Sequence, residues 1–476
     1  MIVKYREIIY LPAICYAKAF YEAYPDNFIF LDSNSDNRNF GEEGRYSYVC
    51  FNPTSLIHVS KQQCFHDEKE ILGNPFYYIK SYLDTLPKYT SATDLPPFQC
   101  GLAGYFGYEM LHYLEEVPRA KDDCIPNHTI DDMRLCFYKT MLSFDHVKKK
   151  AWLLVSEDFD LKEVQTKLSC LLSNAQKYAE GMPASIINAP IDILNKDFDQ
   201  IQYEAIIQKT IDYIYEGDIF QANITRRFHA EMSNQINPFD LYQRLRSINP
   251  APFSCFYSWE KVQDYFSALL SSSPERFISV SDKRKVQTRP IKGTRKRHED
   301  LLLDQEIQNE LRCSVKDKAE NMMIVDLMRN DLSRVCKPFT VKTPHVCSLE
   351  TFETLHHLVS VIEGELEDDK NGMDVIIATF PGGSITGAPK VRAMQIISEL
   401  EACPRGPYCG SAGFISLNGA MDTSIMIRTL VLDHNVISFN VGGGIVTDSS
   451  PRDEFEETIT KANALYKALT AKNCSC

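Results

Sequence analysis

Lys292 has unusual neighbours, in Pro290-Ile291-Lys292-Gly293-Thr294-Arg295. It follows an apolar residue and precedes a glycine in a short extended piece. Exposed to water, such a lysine is an ordinary strand-end charge. In a dry site with other cations nearby, its amine loses a proton more readily and becomes a nucleophile. A second group lies near the C-terminus. Glu454, Glu457 and Lys461 fall at i, i+3 and i+7, so they share one helical stripe. That stripe is either a solvated face with a weakly stabilising Glu–Lys pair or a set of groups aimed at a ligand. Glu320 adds a carboxylate from another helical segment. Carboxylates from two helices, with open positions between them, suit Mg²⁺. This ion takes oxygen ligands and keeps water or substrate oxygens in its shell.

Two glycine-rich turns could hold an anion. Gly383-Ser384-Ile385-Thr386-Gly387 lacks dinucleotide-binding spacing and reads as a tight turn or as a backbone cradle for a carboxylate. Val441-Gly442-Gly443-Gly444-Ile445 places three glycines after a strand. That sacrifices local stability, which is easier to understand if a ligand touches the backbone there.

These groups need elements to position them. Tyr203, Ile206, Ile207, Ile211 and Ile214 recur at helical spacing and Gly217 supplies a stop, so a helix begins near Asp199. Further helices are expected over about 160–181, 314–330 and 453–470. Strands are expected over 27–31, 46–51, 135–144, 267–270, 276–281, 424–432 and 436–441. The mixture predicts an α+β fold, with helices packed outside two mainly antiparallel sheets. Gly181-Met182-Pro183 followed by Asn188-Ala189-Pro190 reads as a linker. It divides the chain into an N-terminal region, 1–180, a linker, 181–196, and a catalytic region, 197–470.

The chain has 476 residues, 44% hydrophobic and 24% charged, with a net charge of −13. Disordered and fibrous classes do not fit, and nucleic acid is a poor partner for so acidic a chain. No apolar run approaches the roughly 18 residues that span a bilayer. Lys4 and Arg6 before Ile8-Ile9-Tyr10-Leu11 imitate a leader, but Glu7 and Pro12 spoil it, and a first strand followed by a helix is the expectation. Fifteen cysteines occur without a C-x-x-C pair. Reduced thiols in a cytoplasmic enzyme are the simplest account, with Cys474 and Cys476 in a frayed tail.

Taken in order, the segments resemble the chorismate-utilising enzymes. The resemblance runs over nearly the whole chain and is densest between about 200 and 465. It is carried by Gly217-Asp218-Ile219-Phe220-Gln221, Ser273-Pro274-Glu275-Arg276-Phe277, Pro290–Thr294, Ala319-Glu320-Asn321 through Asp326, His357-Leu358-Val359-Ser360, Gly387-Ala388-Pro389-Lys390, Ile427-Arg428-Thr429 and Gly442–Gly444. Gly44-Arg45-Tyr46-Ser47 and Gly104–Glu109 resemble the family's first half. The implied fold is that of anthranilate synthase.

Within the family, water-adding members carry a lysine where this chain has Gln221. Anthranilate-forming members usually have alanine where it has Lys292, and N-P-S-P-Y-M where it has Asn249-Pro250-Ala251-Pro252-Phe253-Ser254. Both features resemble the branch that makes 4-amino-4-deoxychorismate for 4-aminobenzoate and folate. The alternatives are the anthranilate-forming branch and a non-catalytic relative that binds an aromatic ligand.

The resemblance implies a set of roles. Lys292 attacks carbon 2 of chorismate, Glu275 is general acid and then base, and His357 is a hydrogen-bond donor. Glu320 and Glu457 bind Mg²⁺, with Glu454 acting through water. Arg428 and Tyr408 hold the enolpyruvyl carboxylate, and Thr386, Gly387, Gly443, Gly444 and Lys461 complete the anion cradle. Ammonia comes from glutamine through a separate amidotransferase subunit. Feedback-regulated relatives have a glutamate before serine where this chain reads Leu31-Asp32-Ser33, so tryptophan binding stays open.

Overall fold

The structure is a computed structural model. It describes every residue except 1–2, 35–41, 93, 121–129, 183–194, 233–235, 263–264, 352–354 and 471–476. Most of the expected linker and the tail cysteines lie outside the described residues.

Two twelve-stranded sheets are present among them. The first runs in the order Lys4–Ile8, Lys150–Val155, Thr140–Asp145, Tyr46–Cys50, Phe28–Asp32, Phe253–Val262, Tyr265–Ser273, Thr429–Asp433, Val436–Ile445, Gln221–Glu231 and Asn195–Lys196, with Gly387–Ala388 added at Gln221. The second begins with Ile291–Lys296, Leu355–Glu365, Lys285–Thr288 and Arg276–Val280, then continues through Met421–Ile425 and Ser411–Ser416 to Gly101–Phe106 and beyond. Each sheet contains strands from both sides of the 183–194 gap.

Strand alternation builds the layers. Ile29, Cys255 and Tyr257 point into a core shared by both sheets. Their neighbours Phe28, Phe30 and Phe256 point the other way, under an outer layer that includes the helices Ala13–Ala23, Pro238–Ile248 and Pro451–Thr470. The first strand and helix fall where Glu7 and Pro12 led us to expect them. Helix starts follow their caps. Asp199 forms a capping box with Gln202, and the Ser314 side chain accepts from the Asp317 N–H. Gly217, at φ +84°, follows the end of the helix Gln200–Tyr215.

Two expected strands are each split. The segment 135–144 is part of a pair, Met133–Tyr138 and Thr140–Asp145, whose strands enter different sheets. The segment 424–432 is divided between Met421–Ile425 in the second sheet and Thr429–Asp433 in the first. Each break falls at a pair of polar residues, Lys139-Thr140 and Arg428-Thr429, which in sequence reads as an interruption within one strand. At the second break Arg428 adopts φ +51°. Eleven described cysteines are free, eight of them buried. Cys403 is disulfide-bonded, which departs from the all-reduced expectation.

Candidate active site

A cavity of about 640 Å³ opens between the edges of the two sheets. Ile291–Lys296 forms one wall and Val436–Ile445, beside Gln221–Glu231, the other. The helices Val315–Ser333 and Pro451–Thr470 bring the acidic groups.

Lys292 reaches this cavity because its strand is irregular. The register shifts at Gly293, so Lys292 lies opposite Leu358 and Thr294 opposite His357. Gly293 has φ +80°, which favours glycine, and a Cβ there would press on the Asp317 side chain at 2.9 Å. Lys292 is partly buried, and its Nζ stands 3.5 Å from the Ser384 carbonyl oxygen.

Glu275 lies just before the strand Arg276–Val280 and is only 7% exposed. Burial pushes its carboxyl above the usual range, against the pull of Ser384, Lys292 and Lys461. A carboxyl that keeps its proton is what a general acid needs. Burial, with Arg428 and His356 nearby, holds the His357 imidazole down at about 4, so it is neutral at pH 7. Its Nδ1 is 2.8 Å from the Thr294 hydroxyl oxygen.

Arg428 projects from the break between the sheets. Burial lowers its pKa. Its terminal nitrogen donates to the Asn249 side-chain oxygen at 3.3 Å. A planar guanidinium held by a neutral amide can accept an incoming carboxylate in bidentate fashion. Tyr408 is buried in the same wall, and burial raises its phenol well above the normal range.

Of the shared stripe, Glu454 is buried, while Glu457 and Lys461 line the cavity with exposed side chains. Glu454 is 6% exposed and accepts from the Ser449 hydroxyl at 2.7 Å. Burial raises both Glu454 and Glu320, and each carboxyl is raised further by Glu457. For Glu457, burial pulls upward, but Lys461 at 2.6 Å outweighs it and leaves the carboxyl lowered. Lys461 also donates to the Gly442 carbonyl at 2.8 Å. Mutually repelling carboxylates on one cavity wall suit a hard divalent cation in kind. Among the described residues, however, no three His, Cys, Asp or Glu side chains are gathered closely enough to hold one as they stand. Glu457 would exchange Lys461 for the ion.

Ten of the thirteen expected site residues line this one cavity: Glu275, Lys292, Glu320, His357, Tyr408, Arg428, Gly444, Glu454, Glu457 and Lys461. Three do not. Thr386 is fully buried, and its hydroxyl donates to the Gly382 carbonyl at 2.9 Å, so it braces its own loop. Gly387 pairs with Ala222, and a Cβ on it would lie 2.1 Å from the Gln221 carbonyl oxygen. Gly443 faces the C-terminal helix, where a Cβ would lie 2.9 Å from a Glu454 carboxylate oxygen. Its missing side chain leaves room for the Glu454 and Glu457 carboxylates.

Several lining residues were not expected as contacts, among them Asn223, Ser384, Lys316 and Asn440. Beside them, Gln221 is fully buried, and among the described residues neither of its amide atoms has a hydrogen-bond partner. A Cβ at Gly444 would lie 2.3 Å from its Nε2 and 3.4 Å from Lys292 Nζ, so amide and amine converge there. The sequence signal for Gln221 was its position where water-adding relatives carry a lysine.

A smaller pocket of about 80 Å³ lies apart from the cavity, lined by Asp32, Glu43, Tyr46, Tyr48, Phe253, Phe414 and Asp422 among others. The Asp32 carboxylate there accepts from Arg246 at 2.6 Å and Tyr242 at 2.9 Å.

The chorismate binding enzyme family matches residues 26–467. Aminodeoxychorismate synthase component 1 of Salmonella typhimurium is 38% identical over 400 residues, covering 84% of this chain and 83% of that one. Anthranilate synthase component 1 of Aquifex aeolicus is 36% identical over 442 residues, covering 90% and 86%. Among solved structures, anthranilate synthase component I from Streptococcus pneumoniae superposes with a TM-score of 0.75 at 30% identity, covering 89% of this chain and 92% of that one. The expected fold is therefore the observed one.

Proposed function

Because the chain belongs to the chorismate binding enzyme family, we propose that it replaces the ring hydroxyl at carbon 4 of chorismate with ammonia, giving 4-amino-4-deoxychorismate. The observation that carries this reading is the Lys292 amine inside the cavity, beside Gln221 and Gly444 and within the influence of buried Glu275.

The chemistry divides among these groups. Chorismate is a dianion, and hydroxide is a poor leaving group. The Lys292 amine attacks carbon 2, both ring double bonds shift (C1=C2 to C1=C6 and C5=C6 to C4=C5), and the carbon 4 hydroxyl leaves as water with the proton of Glu275. Ammonia then bonds to carbon 4, both double bonds return, and the lysine departs from carbon 2. The Glu275 carboxylate takes the proton that ammonia sheds. Arg428 pairs with one substrate carboxylate. Neutral His357 donates a hydrogen bond near the ring. Glu320, Glu454 and Glu457 would hold Mg²⁺, which would neutralise the other carboxylate when bound.

Ammonia from glutamine is proposed to arrive from a separate amidotransferase subunit. Tryptophan is proposed for the smaller pocket, where four rings flank the carboxyls of Glu43 and Asp422. Among the described residues no helix is long and apolar enough to cross a membrane. A cytoplasmic location is part of the proposal.

The second reading is anthranilate formation, favoured by relatives of nearly equal identity. The product separates the two. Chorismate, Mg²⁺ and ammonium should give a compound that becomes 4-aminobenzoate only after a pyruvate lyase is added. Direct appearance of fluorescent anthranilate would select the second reading.

A further inference from the structure

One buried cation has no part in the chemistry above. Arg226, on the strand Gln221–Glu231, is 1% exposed, and among the described residues none of its three guanidinium nitrogens has a hydrogen-bond partner. It is enclosed by aromatic rings instead. Their centroids lie 4.3 Å away for Phe455, 4.9 Å for Phe228 and 5.5 Å for Tyr203. Burying an unsatisfied charge is unfavourable, and the rings offset only part of that. An apolar side chain of similar length would fill the space without the penalty. Stability alone gives no reason for a guanidinium here.

The rings supply a reason. Phe455 directly follows Glu454 in the C-terminal helix. Tyr203 belongs to the helix Gln200–Tyr215, and its hydroxyl donates to the Ile224 carbonyl at 3.0 Å. Ile224 is paired across the ladder with Gly443, the glycine against which Glu454 and Glu457 close. Arg226 thus joins one strand and two helices immediately behind the acidic wall of the cavity. A cation seated on a ring prefers the ring face and a set distance. Apolar packing imposes neither so strictly.

We propose that Arg226 is a positioning residue: through Phe455 it fixes the height and rotation of the C-terminal helix, so that Glu454, Glu457 and Lys461 reach the cavity. This inference rests on the reading that the cavity takes chorismate. It places a destabilising group where it serves the site, a trade of stability for function.

The test uses the full chain as Arg226→Met and Arg226→Lys. Melting temperature, chorismate affinity by calorimetry with Mg²⁺ present, and kcat/KM from the loss of chorismate with ammonium are measured for each. Arg226→Met should melt at or above the temperature of the unsubstituted chain, yet lose about tenfold in chorismate affinity and in kcat/KM. Arg226→Lys, which keeps a cation over the rings, should recover most of that loss. An Arg226→Met chain that melts lower but keeps its affinity and kcat/KM within about twofold would overturn the inference, leaving Arg226 a structural residue. So would Arg226→Lys failing as badly as Arg226→Met. If the unsubstituted chain neither binds nor consumes chorismate, the functional reading falls and this inference with it. Normal binding by the unsubstituted chain and by Arg226→Met removes the inference alone.

Discussion

Gly444→Ala adds one methyl group at the point where the Gln221 amide and the Lys292 amine meet. The new carbon would sit 2.3 Å from Gln221 Nε2 and 3.4 Å from Lys292 Nζ. A comfortable contact is about 3.5 Å, so the amide must retreat by roughly 1.2 Å. The clash falls on the end of a side chain rather than on backbone, so the sheet need not open. Overpacking of this kind costs about 1–3 kcal/mol. A displacement near 1 Å at the reacting centre costs about 100-fold in rate. The variant should therefore fold, melt a few degrees lower, and lose about two orders of magnitude in kcat/KM for chorismate. Gly181→Ala is the control, since a Cβ there meets nothing within 4 Å. Chorismate loss at saturating ammonium, with a parallel melting curve, measures both effects. A Gly444→Ala chain within about threefold of full activity would refute the claim that the substrate site lies against this glycine.

Two other outcomes follow from buried titrating groups. His357 is held at about 4, below its ordinary value of roughly 6.5. The unfolded chain therefore takes up this proton first, and the contribution to stability is full above about pH 6.5 and lost as pH falls toward 4. Its size is at most about 3 kcal/mol. His357→Gln should flatten the fall in melting temperature over that window, and an equally steep fall would show that other groups cause it. Glu320→Gln should raise the Mg²⁺ concentration needed for half-maximal activity about tenfold or more, and an unchanged Mg²⁺ titration would remove Glu320 from the ligand set.

The helices were legible because apolar residues at 3.6-residue spacing end at marked caps, as between Asp199 and Gly217. The shared stripe of Glu454, Glu457 and Lys461 was legible for the same reason, though its spacing did not say which way it faces. The strand breaks were not. Each half of 424–432 is buried against its own sheet, and Arg428-Thr429 at the crossing reads in sequence as a polar interruption within one strand. Side-chain direction at glycines was also hidden. Gly443 and Gly444 are adjacent in sequence, yet one faces the helix and the other the cavity, as strand alternation requires. Thr386 could not be separated from a ligand-binding hydroxyl until the bond to Gly382 was known. Arg226 was invisible because alternation puts it among Ala222, Ile224 and Phe228, where a charge is not expected.

The account depends most on the Lys292 amine as the group that bonds to the substrate. Lys292→Ala, assayed with chorismate, Mg²⁺ and saturating ammonium, tests it directly. Chorismate should still bind with near-normal affinity while turnover falls by about a thousandfold or more. Turnover at the normal rate in that variant would contradict the account.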